Sequence, residues 1–166
     1  DLTSWDYYMY LNDTRAQTLD ANKFGTAPTA SVFTVGSSSS TNQSTKNMIA
    51  YCFHSVEGYS KVGSYVGNGV VDGTFIYTGF KPAFVLIKSA NDIRNWILHD
   101  NKRDPFNVTS EDLMPNLSDA ETTNDRLDFL SNGFKNRSAS SANNRSGYSI
   151  MYVAFAESPF KTSNAR

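Results

Sequence analysis

"GFKPAFVLIKSANDIRNWILHD" (residues 79–100) decides the fold class. Its first half carries Phe84, Val85, Leu86 and Ile87 behind Pro82, and its second half carries Trp96, Ile97 and Leu98. Between them lie Ser89, Asn91 and Asp92, residues that favour turns. Short runs rich in branched and aromatic side chains, broken by turn formers, read as strands. Runs of the same kind recur at 31–35 (SVFTV), 47–56 (NMIAYCFHSV), 73–80, 83–88, 95–100, 126–130 and 148–157. The Ser- and Asn-rich stretches 36–47 and 138–147 read as exposed loops, and the glycine-rich stretch 62–73 as loops between strands. Only 110–127 has room for a short helix, and Pro115 limits it. The expected fold is all-β: an antiparallel β-sandwich of jelly-roll or lectin-like form. Asn132-Gly133, a pair that tolerates positive φ at both positions, predicts a tight hairpin.

With 166 residues and 39% hydrophobic content the chain can bury one sizeable core, so residues 1–166 are expected to form a single β-sandwich region. Fifteen basic and 16 acidic residues, scattered rather than clustered, give no footprint for nucleic acid. No apolar run approaches the roughly 20 residues that cross a bilayer, so neither nucleic acid nor membrane insertion is expected. Cys52 lies in the apolar run MIAYCF and reads as a small buried hydrophobe.

The chain also carries an imperfect internal repeat. In each half a Trp-bearing segment leads to a Phe-containing strand, a polar loop, and a strand of the type IAYCF (49–53) or MYVAFA (151–156). The half-units are 1–58 and 80–166, facing one another. GFKPAFVLIK introduces the second unit, and nothing equivalent precedes Trp5. Together with the missing initiator Met, this leads us to expect the C-terminal part of a longer chain, or a neighbouring strand supplied by another chain.

The blocks "VEGYSKVGSYVGNGVVDGTFIYTGFKPAFVLIKSANDIRNWILHDNKRD" (56–104), "LMPNLSDAETTNDRLDFLSNGFKNR" (113–137) and "SGYSIMYVAFAESPFKTSNAR" (146–166) resemble, in this order, the C-terminal region of a family of bacteriophage tail-fibre and other virion proteins. The resemblance runs from residue 47 onward and more loosely includes 28–36. It implies a virion structural protein on the exposed outer surface of the particle, on a tail appendage rather than the capsid. The partners implied are other copies of itself, by analogy a trimer, other virion proteins, and a host-surface glycan or protein. It implies no catalytic residues, no metal and no cofactor.

Several residue groups carry possible chemistry. His99, Asp100, Lys102, Arg103 and Asp104 crowd one strand end. Strand alternation sets His99 and Asp100 on opposite faces, so scaffold is expected there, with Arg103 pairing a nearby carboxylate. Trp5 and Trp96 offer stacking surfaces, with Trp96 assigned to the core. Cys52 and His54 share a strand face but lack the further ligands a zinc site needs. Asp112, Asp119, Glu121 and Asp125 lack calcium-loop spacing and read as a solvated loop. A polysaccharide-cleaving enzyme would need a facing carboxylate pair, drawn from Asp100, Asp104, Asp112 and Glu121. No nucleophile elbow or phosphate loop is present, and the chain is read as no enzyme. For ligand binding the candidates are Tyr7, Tyr8, Asn107, Asn143 and Arg145, in or beside the polar loops. The reading is a tail-fibre or appendage module for adhesion or assembly. Its alternatives are a capsid-decoration or head-fibre protein and a tailspike-type hydrolase.

Overall fold

A computed structural model describes residues 4–160. Residues 161–166, the end of the closing sequence block, lie outside the described residues. The fold is nearly all β, with antiparallel sheets. β1 (Tyr7–Tyr8) and β2 (Thr18–Leu19) form a small ribbon. β3 (Ser60–Val66), β5 (Pro82–Ser89), β6 (Ile97–Asp100) and β9 (Ser149–Ala156) form a four-stranded sheet in the order β3-β9-β5-β6. β4 (Phe75–Tyr77), β7 (Leu127–Leu130) and β8 (Gly133–Asn136) form a three-stranded sheet in the order β4-β8-β7.

Alternation along the strands builds the core. Ile150, Tyr152 and Ala154 of β9 point to one face with Val85 and Ile87 of β5 and Tyr65 of β3. They meet Ile76, Leu127, Phe129 and Phe134 of the three-stranded sheet in one hydrophobic cluster. Phe134 lies edge-on to Tyr152 and Tyr65, with centroids 5.4 and 6.1 Å apart, a geometry that suits the charge distribution of the rings. Both faces of β5 and β9 are largely apolar, as befits strands with a neighbour on each side.

Strands predicted at 83–88, 95–100, 126–130 and 148–157 form with shifts of one or two residues at their ends. Three expectations need correction. The stretch 62–73 was read as loop, yet β3 occupies its first part, because Gly63 is there to let Tyr152 pass: a Cβ would come within 2.9 Å of the Tyr152 hydroxyl. No helix forms in 110–127, and a short helix, α1 (Ser39–Asn42), sits in the Ser-rich loop instead. The predicted strands at 31–35 and 47–56 are not built: these residues are exposed apart from the half-buried Val56, and only Val56 makes a bridge, with Ser60. Cys52 is therefore exposed instead of buried.

The predicted hairpin is present, with Leu130 paired to Gly133 across Ser131 and Asn132. Neither Asn132 nor Gly133 has positive φ. Gly133 is required for a different reason: a Cβ there would collide with the Ile76 carbonyl oxygen of β4.

Candidate functional site

The strand end opened by Trp96 is held as scaffold. Trp96 is buried, and its indole Nε1–H donates to the Tyr10 carbonyl at 2.9 Å. His99 and Asp100 do point apart. Asp100 accepts from the backbone N–H groups of Lys102 and Arg103, and the Arg103 guanidinium bridges Asp100 (2.6 Å) and Glu121 (2.9 Å). Asp104 accepts from the Ser110 N–H at 2.7 Å. Each carboxylate beside the strand end thus closes a turn or balances an arginine.

Beneath the 101–126 loop lies a buried polar group, two of whose members, Asp112 and Asp125, the sequence places in a solvated loop. His99, Asp112 and Thr109 are fully buried and Asp125 nearly so. Asp112 is well satisfied: it accepts from the Thr122 hydroxyl (2.7 Å) and from the N–H groups of Asn124 (3.1 Å) and Asp125 (3.4 Å). His99 is not. Neither ring nitrogen has a hydrogen-bond partner among the described residues. Burial holds the imidazole down to about 4, with the Asp112 charge working against that shift. Burial also raises the Asp125 carboxyl above its ordinary range. The correction for Asp112 and Asp125 has a simple cause: their loop folds back on the sheets through bridges from Leu113 to Leu98, from Asp112 to Thr122 and from Thr109 to Leu127. Asp119 and Glu121 remain exposed.

The five candidate ligand residues are dispersed in role. Tyr7 and Tyr8 are half-buried in β1. Tyr8 stands edge-on to Tyr10 with centroids 5.2 Å apart. Lys23 Nζ lies 4.6 Å from the Tyr8 ring centroid and donates to Ser40 Oγ, while the Arg15 guanidinium lies 4.7 Å from the Tyr10 centroid. This aromatic and cationic cluster is one that local sequence could not show, because Lys23 reaches it through the fold. Asn107 is exposed, but its amide serves the backbone of Phe129, donating to its C=O and accepting from its N–H, both at 2.9 Å. Asn143 is fully buried, and its backbone C=O accepts from the Tyr65 hydroxyl at 2.6 Å. Arg145 is half-buried, pairs with Asp92 at 2.6 Å and lies over the Tyr148 ring. Of the five, only Tyr7 and Tyr8 adjoin one another.

What the surface does present is apolar chain. Ile49 and Tyr51 are each 81% exposed and Phe53 is 64% exposed, with Val32, Phe33, Val35 and Met48 also open. Between 47 and 53 no backbone hydrogen bond joins the segment to another described residue. Exposed apolar side chains grouped on one extended segment mark an interaction surface. The sequence signal for it was in view: apolar residues on both faces of 47–56, as in an interior strand, with no neighbour to accompany it. Beside the segment, a cleft of about 310 Å³ lies between residues 55–61 and 77–79, with Lys61, Glu57 and Tyr77 in its lining.

Residues 1–159 match the family described as a domain of unknown function, DUF7483, and the chain belongs to that family. No curated protein and no solved structure matches it.

Proposed function

We propose that this member of the family is a structural module of a bacteriophage virion, of tail-fibre or appendage type, which works by binding: to copies of itself, to other virion proteins and to a host-surface glycan or protein. The virion part of this reading rests on the ordered sequence blocks described above. The binding part rests on one observation, the run of exposed apolar side chains at Ile49, Tyr51 and Phe53 on chain that has no sheet partner among the described residues. In soluble proteins such a run is covered by a partner. In this reading the chain is a β-sandwich of lectin-like or jelly-roll kind, made of two imperfect halves, and its first half is completed by strand pairing with a neighbour.

A binding role also fits the handling of the polar groups. The carboxylates Asp100, Asp104 and Asp112 each accept backbone or arginine donors that shape the 101–126 loop. Locating the chain on an assembled particle by cryo-electron microscopy tests the reading. Threefold copies at the tip of a tail appendage are expected. Copies spread over the capsid lattice would overturn adhesion in favour of decoration, and shortening of host polysaccharide by the purified chain would overturn the binding role.

A further inference from the structure

Sheet edges carry unpaired N–H and C=O groups, and folded proteins close them. Here the β6 edge is closed by Leu113, which exchanges two hydrogen bonds with Leu98 (2.8 and 3.0 Å), and the β7 edge by Thr109 and the Asn107 amide. The β3 edge is treated differently. Val56 and Ser60 exchange one pair of backbone bonds at 3.0 Å. At the next outward position, Val62, the rung is made by a side chain: Ser55 Oγ accepts from the Val62 N–H (3.1 Å) and donates to the Val62 C=O (3.3 Å). Outward positions alternate along a strand, so Ser64 turns its N–H and C=O to the same open side.

The rung between Val56 and Ser60 defines a register. Continued along β3 it sets His54 opposite Val62, Cys52 opposite Ser64 and Ala50 opposite Val66. It also places Phe53 and Tyr51 on the face of Gly63 and Tyr65, which is the core face, and leaves the smaller Cys52 and Ala50 on the other. Segment and edge are therefore complementary in hydrogen bonding and in side-chain size. In the structure the ladder stops after one rung. Ser55 holds the groups that His54 would use, and Phe53 lies on the opposite face of the sheet, edge-on to Phe155 with centroids 6.1 Å apart. Closing the hairpin within one chain requires Phe53 to give up that contact and cross the sheet edge.

We propose that residues 48–54 are an exchange strand that pairs, in this register, with the β3 edge of a second copy of the chain. Donor and acceptor are present in every copy, so two isolated copies satisfy each other reciprocally and close on a dimer, while three copies held at a threefold site satisfy the same groups as a ring. The incoming backbone replaces the Ser55 clamp at Val62, pairs with the open groups of Ser64 and covers Ile49, Tyr51 and Phe53; at the far end the Val66 C=O already accepts from the Thr74 hydroxyl at 2.9 Å. The inference goes beyond the assembly reading: it names the segment and the edge that meet, and it holds for the isolated chain whatever particle carries it.

Cys52, the only cysteine, makes the register testable. Paired residues of adjacent strands lie about 4.5–5.5 Å apart at Cα, within reach of a disulfide. The Ser64→Cys variant, oxidised with diamide, is expected to give a covalent dimer whose peptide map shows Cys52 joined to the introduced cysteine. The unaltered chain is expected to show concentration-dependent dimers in sedimentation, lost in Tyr51→Lys, a change at an exposed position. Four results would overturn the proposal: a monomer carrying the internal link, which means closure within one chain; links only between like positions; no link at all; or an unaltered chain that stays monomeric at every concentration. None of these bears on where the chain sits on a particle, so failure here and failure of the virion reading are separable.

Discussion

Acidification should destabilise this fold through His99 in particular. The unfolded chain takes up a proton at an ordinary histidine pKa near 6.5, whereas the buried ring takes one only near 4. Between those values the unfolded state holds more protons, so stability rises with pH across the window and falls as pH drops through it. At 1.36 kcal/mol per pH unit the loss from this one group is about 2 kcal/mol by pH 5 and about 3 kcal/mol near pH 4. Burial dominates this shift; the charges of Asp112, Asp104 and Asp100 oppose it and that of Arg103 adds to it. Asp125 acts in the opposite sense. Its folded pKa is raised by burial, so its contribution is present at low pH and lost as pH rises through that raised value. The two are separated by variants. His99→Leu removes the imidazole while filling much of its volume, and at neutral pH it should be neutral or stabilising, because both ring nitrogens are buried without partners. Denaturant unfolding followed by Trp96 fluorescence, at pH values from 7 to 4, gives the stability difference between variant and native chain. That difference should move in favour of the variant by about 2 kcal/mol between pH 7 and pH 5. Parallel curves for the two proteins would refute the assignment of a buried, neutral His99.

Other positions give sharp expectations. Phe134→Ala should cost about 3–5 kcal/mol, since the ring is fully buried between Tyr65 and Tyr152, and unfolding midpoints would report it. Gly133→Ala should cost at least about 1–3 kcal/mol, because the new methyl meets the β4 backbone at Ile76. Gly147→Ala, where the added atom meets nothing within 4 Å, carries only the strain of its positive φ and should be milder in the same assay. Asn107→Ala removes both bonds to Phe129 and should lower stability by about 1–3 kcal/mol while raising hydrogen exchange at the Phe129 amide.

The central strands were legible because their apolar periodicity and their partners agree. 83–88 and 148–157 read as strands and pair with each other as β5 and β9. β3 was hidden because its sequence, SKVGSYV, spends four of seven positions on Ser60, Lys61, Gly63 and Ser64, of which Gly63 makes room for Tyr152. Residues 31–35 and 47–56 read as strands for sound local reasons, since composition sets the tendency to be extended, while pairing depends on a neighbour that local sequence does not specify. The buried side chains of His99, Asp112 and Asp125 were illegible for the converse reason. Polar type argues for exposure, and only the return of the 101–126 loop onto the sheets puts them inside. Of the ligand candidates, Asn143 was placed by loop composition, which cannot tell an amide at a loop tip from one tucked under it.

The strand order β3-β9-β5-β6 also sets a timetable for folding. Among the described residues β9 is the last of nine strands, yet it stands between β3 and β5. During synthesis the hairpin of β5 with β6 and that of β7 with β8 can form early, from neighbours in sequence, but β3 must wait some 80 residues for the only strand of its sheet that it touches. A nascent chain that has released everything up to residue 148 therefore holds β3 apart from the β5–β6 pair, with apolar faces exposed, although β4, β8 and β7 can already join. Closure is a single late event, in which the last strand inserts at the centre, and until then the open edges of β3 and β5 are available to a neighbouring chain.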